Sequence, residues 1–158
     1  MRLETPADYA GIRRVHLQSF PTATEADLVD GLRADGDAVL SLVAEEDSEI
    51  AGHVLFSRMT APFRALGLAP VAVLPHYRRR GIAARLIEDG LARAAADWDA
   101  VFVLGDPAYY GRFGFDAGLA ACFANPYAGP HFMVTPLAGK LPSNQGPVAY
   151  AAAFARLG

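Results

Sequence analysis

The 158-residue sequence predicts one α+β domain spanning residues 1–158, a mixed α/β sheet with helices on its faces. Three observations predict it. A strand-like run, a long helical pattern and a second strand-like run follow one another from Arg64 to Leu104, which is a βαβ unit. A polar tetrapeptide, Glu46-Asp47-Ser48-Glu49, joins two β-rich runs into an antiparallel hairpin. Apolar residues make up 53% of the chain and charged residues 20%, enough to fill a core.

The elements follow in order. Met1 to Glu4 is a short first strand. Thr5-Pro6-Ala7-Asp8 is a helix start, with Thr5 as N-cap, Pro6 at the first helical position and an acid at the positive dipole end. Tyr9, Ile12, Val15 and Leu17 continue at helical spacing, so the first helix covers about 6–18. A second helix starts at Thr24-Glu25, turns Leu28, Val29 and Leu32 to one side, and stops near Gly36. Ala38–Glu45 and Ile50–Arg58 form the hairpin. Arg64–Leu74 is a third long strand that carries Gly67 and Pro70 inside it. Proline cannot donate to a ladder, so this strand should be irregular.

From Arg79 the period becomes helical. Ile82, Ala83, Leu86, Ile87, Gly90, Leu91, Ala94 and Trp98 share a face. Ala100–Leu104 is a continuous apolar strand of the buried type. Gly105-Asp106-Pro107 turns the chain into a short helix ending near Gly111–Gly114. Beyond Phe115 the chain is Gly- and Pro-rich, with strand candidates at 119–124, 131–137 and 147–154.

The totals restrict function. Net charge is −3, so a nucleic-acid-binding role is not expected. The single cysteine, Cys122, admits no internal disulfide and suits a reducing cytoplasm; it is read as a core residue. Four scattered histidines give no metal-ligand spacing, so no metal is expected. The N-terminus lacks a signal-type apolar region, and no apolar run has the length of a membrane span.

Positive charge nevertheless gathers at Tyr77-Arg78-Arg79-Arg80-Gly81-Ile82-Ala83, where the long helix begins. A helix start offers unpaired N–H groups and a partial positive charge, which suit phosphate. Gly81 lets a ligand approach the backbone, and arginine forks match phosphate oxygens. A diphosphate fits this turn; a basic helix cap with solvated arginines is the competing reading.

Arg78 to Ala83 resembles the (Q/R)-x-x-G-x-(G/A) signature of the GNAT-type N-acetyltransferases, in the right strand–helix context. Leu104–Phe115 (LGDPAYYGRFGF) is more specific and resembles the YhbS-like bacterial acetyltransferase subgroup. So do LAPVAVLPHYRRRGIA, SLVAEEDSEIAGHVLFS and FMVTPLAGKLPSNQGPVAYAAAF, so the similarity covers most of the chain. The resemblance implies the GNAT acyl-CoA N-acyltransferase fold, with a central, mostly antiparallel sheet and helices on both faces. It also implies a bacterial, cytoplasmic enzyme that moves an acetyl group from acetyl-CoA directly to a primary amine of a small molecule or protein. A non-catalytic acyl-CoA-binding or sensing module is the alternative. Homodimers are frequent in the family.

By the same resemblance, the cofactor-binding set is Val71, Ala72, Val73, Arg78, Arg79, Arg80, Gly81, Ile82, Ala83 and Ala84. The turn cradles the pyrophosphate and the strand pairs with pantetheine amides. Tyr110 stands four residues before the Gly114-Phe115 pair, the family position of the tyrosine that protonates the CoA sulfur. It is therefore both the catalytic candidate and a cofactor contact, and a phenol keeps its proton at pH 7. Tyr109 is the competing holder. Family members often carry an asparagine before this tyrosine; here Asp106 caps the short helix or faces the cofactor. No general base is assigned. Glu25, Asp27, His53, Ser57 and His76 are the candidates, with deprotonation through ordered waters as the alternative. For the acceptor, the resemblance points loosely to Phe20, Glu25 and Asn125–Phe132.

Overall fold

The computed structural model describes residues 1–157. Six strands form the main sheet, in the order β1 (Arg2–Leu3), β2 (Ala38–Glu46), β3 (Glu49–Met59), β4 (Ala65–Val73), β5 (Ala100–Leu104) and β7 (Phe132–Pro136). All neighbours are antiparallel except β4 and β5. Two short strands, β6 (Phe123–Ala124) and β8 (Gly146–Pro147), pair separately. The result is the mixed, mostly antiparallel sheet expected from the sequence.

The hairpin turns at Asp47 and Ser48, both with positive φ, as a two-residue connection requires. Its register sets Val43 opposite His53 and Ala44 opposite Gly52, and strand alternation then assigns the two faces of β3. Gly52, Val54 and Phe56 face α3 (Ile82–Ala94). A Cβ on Gly52 would meet Ile82 at 3.0 Å, and one on Gly90 would meet the Phe56 ring at 2.2 Å. The missing side chains let α3 lie close to the sheet. His53, Leu55 and Ser57 face the other way. There α1 (Tyr9–Ser19) and α2 (Thr24–Ala34) bury Ile12, Leu28, Val29 and Leu32 against Leu55 and Val43. Helices therefore cover both faces. Each fully buried leucine, isoleucine or phenylalanine contributes roughly 1.5–3 kcal/mol of transfer free energy.

The first helix begins later than its sequence pattern suggests. Pro6–Asp8 is a 3-10 turn, in which the Thr5 amide donates to the Asp8 carboxylate at 2.7 Å. The long helix also starts late, at Ile82, because Arg79 and Gly81 are left-handed.

β4 is irregular as expected. Its pairing with β3 slips by one residue between Val54–Val71 and Phe56–Leu68, the segment containing Pro70. Its parallel ladder with β5 runs only from Ala65–Ala100 to Gly67–Phe102. Beyond Gly67, β4 has no ladder partner on that edge, while β5 continues against β7.

In the C-terminal third, the strand expected at 131–137 is β7, while the other two candidates depart from expectation. Residues 119–124 hold the end of a helical turn, α5 (Ala117–Ala120), and then only the two-residue β6. Asp116 caps that turn by accepting from the Leu119 amide. Residues 147–154 give only the end of β8 and then α6 (Ala152–Ala155). Cys122, read as core on the assumption of a strand, is exposed because the chain is turning there. Among the described residues, no helix is long and apolar enough to cross a membrane.

Candidate active site

The unpaired end of β4 and the start of α3 enclose a cleft of about 460 Å³. Val71, Ala72 and Val73 form one side, and Arg78, Arg79, Gly81, Ile82, Ala83 and Ala84 form its floor. Nine of the ten predicted cofactor contacts on the strand and turn thus meet at one place. The tenth, Arg80, does not line the cleft; its guanidinium lies 5.4 Å over the Tyr77 ring.

The turn has a definite local cause. Pro75–Tyr77 is a 3-10 turn, Arg79 has φ 66° and Gly81 has φ 75°. Successive amides in such a turn can converge on an anion. No side chain caps α3, so its first N–H groups remain available. A Cβ on Gly81 would meet nothing within 4 Å, so that position opens onto free space. Arg78 donates from Nε to the Val73 carbonyl at 3.1 Å, tying the turn to the strand end. The site is therefore positive at a helix start, next to strand-edge amides. It can hold a diphosphate at one end and an amide-bearing chain at the other.

Two further walls were less legible. Ser19 and Phe20, at the end of α1, line the cleft, and the Ser19 hydroxyl donates to the Val73 carbonyl at 3.2 Å. Tyr109, from α4 (Pro107–Tyr110), and Arg112 close the far side. Arg112 lies within the most family-like segment, which was a usable signal. Ser19 gave none, since only packing brings α1 to the end of β4.

Tyr110 does not line this cleft. Its ring packs against Gly105, where a Cβ would lie 2.5 Å away, and edge-on to Phe115. Burial, and secondarily Tyr109, push its hydroxyl up to about 12. Burial also raises Tyr109, partly offset by Arg112. Both phenols keep their protons at neutral pH.

None of the candidate bases lines the cleft. Asp27 pairs with Arg13 on the surface. Glu25 is on α2, away from the lining. His53 is fully buried and hydrogen-bonded to His16 and Ser41. Ser57 is buried, and His76 is exposed, 3.6 Å from Glu49. Asp106 takes the capping role, accepting from the Ala108 amide. Asn125–Phe132 lies outside the cleft lining; Phe20 alone of the acceptor candidates is in it.

A strand with a freed edge, leading through a left-handed turn into an uncapped helix, is the arrangement that the resemblance to the N-acetyltransferases led us to expect. The chain belongs to the acetyltransferase (GNAT) family, whose model matches residues 9–115, and it is an acyltransferase of the N-acetyltransferase class. It is 41% identical over 121 residues to the uncharacterized N-acetyltransferase YhbS of Escherichia coli K12, covering 73% of this chain and 72% of YhbS. The crystal structure of E. coli YhbS in complex with CoA superposes with a TM-score of 0.92 at 37% identity, covering 99% of this chain and 92% of that one. A GNAT-family acetyltransferase from Brucella melitensis in complex with acetyl-CoA gives a TM-score of 0.81 at 38% identity, covering 97% and 96%.

Proposed function

We propose that this chain moves an acetyl group from acetyl-CoA to a primary amine of a small molecule or protein in the bacterial cytoplasm, with no covalent enzyme intermediate. The observation that carries this is the Arg79–Gly81 turn and uncapped α3 start set beside the partnerless end of β4. CoA and acetyl-CoA are bound in the two similar crystal structures, and the residues here fit them.

Acetyl-CoA supplies an acyl carbon already activated as a thioester. The chain's residues do the rest. Backbone N–H groups from Arg79 to Ala84 hold the pyrophosphate. Arg78 and Arg79 complement the phosphates from the cleft, with Arg80 outside it. The free edge at Val71–Val73 pairs with the pantetheine amides and fixes its direction. Tyr110 gives its proton to the sulfur as the thiolate leaves. A second reading gives this role to Tyr109, because Tyr109 and not Tyr110 lines the cleft.

Calorimetric titration with acetyl-CoA tests the site, with 3′-dephospho-CoA and ATP as controls. Micromolar affinity, on the order of −8 kcal/mol, is expected; no binding at millimolar ligand would reject it. Tyr110→Phe should slow acetylation with affinity for acetyl-CoA nearly unchanged. If Tyr109→Phe slows it instead, the acid is Tyr109. If neither slows it, neither tyrosine is the acid; only acetyl-CoA binding with no acetylation of any amine by the natural chain would make it an acyl-CoA sensor.

A further inference from the structure

The cleft holds more positive charge than the turn before α3 supplies. Its lining contains three arginines, Arg78, Arg79 and Arg112, and no carboxylate. Arg78 and Arg79 belong to the turn, where the diphosphate is placed. Arg112 comes from the far wall, out of the 3-10 turn Gly111–Phe113 that follows α4. Arg2, Arg13, Arg14, Arg33, Arg93 and Arg156 each pair with an acid. Arg112 pairs with none among the described residues. It is exposed, and its guanidinium carbon lies 5.3 Å from the centre of the Tyr109 ring and 5.4 Å from that of Phe113. Contact with two rings steadies the group and leaves its N–H fork free for a planar oxyanion.

The place of this charge bears on the reaction. The Tyr109 ring beneath Arg112 is edge-on to Tyr110, with centroids 5.1 Å apart. These are the two candidates for the proton that the departing sulfur takes. On the acetyl-transfer reading above, Arg112 therefore stands beside the reacting end of the bound thioester. No acid offsets it in the lining. Glu88 acts on the Tyr109 hydroxyl but does not line the cleft. Glu25 is outside the lining, and Asp27 pairs with Arg13. An amine with no acidic group of its own arrives as an alkylammonium ion at a wall that offers only like charge. Like charges set together exclude a partner, whereas a free guanidinium selects one that brings a carboxylate.

We infer that Arg112 is a specificity-determining residue and that the acceptor is an amine carrying a carboxylate, as an amino acid does. The inference rests on the acetyl-transfer reading and narrows its acceptor class. The acetyl group carries no charge, so the carboxylate belongs to the acceptor and not to the donor's acyl group. Arg112 forks that carboxylate from the far wall and turns the amino nitrogen toward the thioester carbon. Arg78 and Arg79 remain with the diphosphate, so the two ends of the ternary complex are held by different arginines.

The test uses the full chain, acetyl-CoA as donor, and acceptors in matched pairs: each common amino acid and its carboxamide. The natural chain should favour the acid in the pairs it acetylates. Arg112→Gln should lower that preference about tenfold or more, as expected for a lost charge-assisted hydrogen bond, and chiefly through the acceptor's KM. Arg112→Lys should restore part of it, since an ammonium keeps the charge and loses the fork. Affinity for acetyl-CoA, read by calorimetry, should change by less than the preference does. If Arg112→Gln instead weakens acetyl-CoA about tenfold and 3′-dephospho-CoA hardly at all, Arg112 holds a cofactor phosphate and the inference fails. A natural chain that prefers succinyl-CoA to acetyl-CoA would move the carboxylate to the acyl group and overturn it. So would the absence of any preference for the acid, or a panel in which acetyl-CoA binds and no acid reacts. Acetyl-CoA that does not bind at all rejects the cofactor site itself, and this inference with it.

Discussion

Arg78 Nε donates to the carbonyl of Val73 across 3.1 Å, and the same carbonyl accepts the Ser19 hydroxyl at 3.2 Å. Three elements are thereby locked at one atom: the end of β4, the turn before α3 and the end of α1. The lock spends one donor of Arg78 on the protein and leaves its terminal nitrogens for a ligand. Arg78→Ala should then weaken acetyl-CoA by about tenfold, roughly 1.4 kcal/mol. Arg78→Lys should recover little, since an ammonium cannot fork between carbonyl and phosphate. Arg80→Ala, whose guanidinium sits over Tyr77, should change affinity by less than either. Titration of the three variants ranks them, and Arg80 as the costliest loss would contradict this placement.

Gly81 separates backbone strain from occlusion. Its φ of 75° penalises any side chain, while its Cβ direction is open. Gly81→Ala should cost roughly 1–2 kcal/mol of stability from the left-handed backbone and leave some acetyl-CoA binding. Gly81→Glu should carry a similar strain and abolish binding, because bulk and negative charge enter the phosphate position. Paired melting and titration experiments would show this, and equal loss of binding in both variants would point to the backbone alone.

Much of this site was legible because its logic is local. Arg78 to Ala84 are consecutive, and a strand before them with a helix after them is enough to predict a positive, open helix start. Proline inside β4 announced the slip at Leu68–Val71. What stayed hidden depends on distant packing. Ser19 reaches Val73 across 54 residues of sequence, and His16 meets His53 across 37. A histidine in a helix and one in a strand look alike whether they face water or each other. The segment after Phe115 misled for a different reason. Its short apolar runs fit a strand pattern, but Asp116 caps a helical turn there and carries Cys122 outward.

That exposure is itself checkable. Cys122 should react with a thiol reagent in the native protein at nearly the rate of the unfolded chain. Slow labelling, accelerated only by denaturant, would return Cys122 to the interior. Acetyl-CoA should not protect it, since Cys122 is outside the cofactor cleft.

Close approach of α3 to the sheet gives a prediction about stability alone. At Gly90 a Cβ would lie 2.2 Å from the Phe56 ring, which is fully buried and cannot swing away. Gly90→Ala gains helix propensity of up to about 1 kcal/mol, but overpacking costs typically 1–3 kcal/mol. The net should be destabilising. Chemical denaturation would measure it, and a stabilised variant would show that α3 can shift outward at no cost.

Acid should loosen the protein through its buried imidazoles. His16 falls from the ordinary 6.5 to about 4, through burial first and the Arg33 charge second. His53 is also held low, by burial, then His16 and Arg33. In the unfolded chain both rings bind a proton below pH 6.5; in the native fold they resist. The unfolded state therefore holds more protons in that window, and stability rises with pH. The contribution is complete above about pH 6.5 and is lost as pH falls toward 4, amounting to about 3 kcal/mol for His16 alone. His16→Gln keeps a polar side chain and removes the titration. Its stability should fall at pH 7 from the broken bond to His53, yet decline less steeply between pH 6.5 and 4 than in the natural chain. Parallel slopes for the two proteins would mean that His16 is already charged, or already solvated, in the native state.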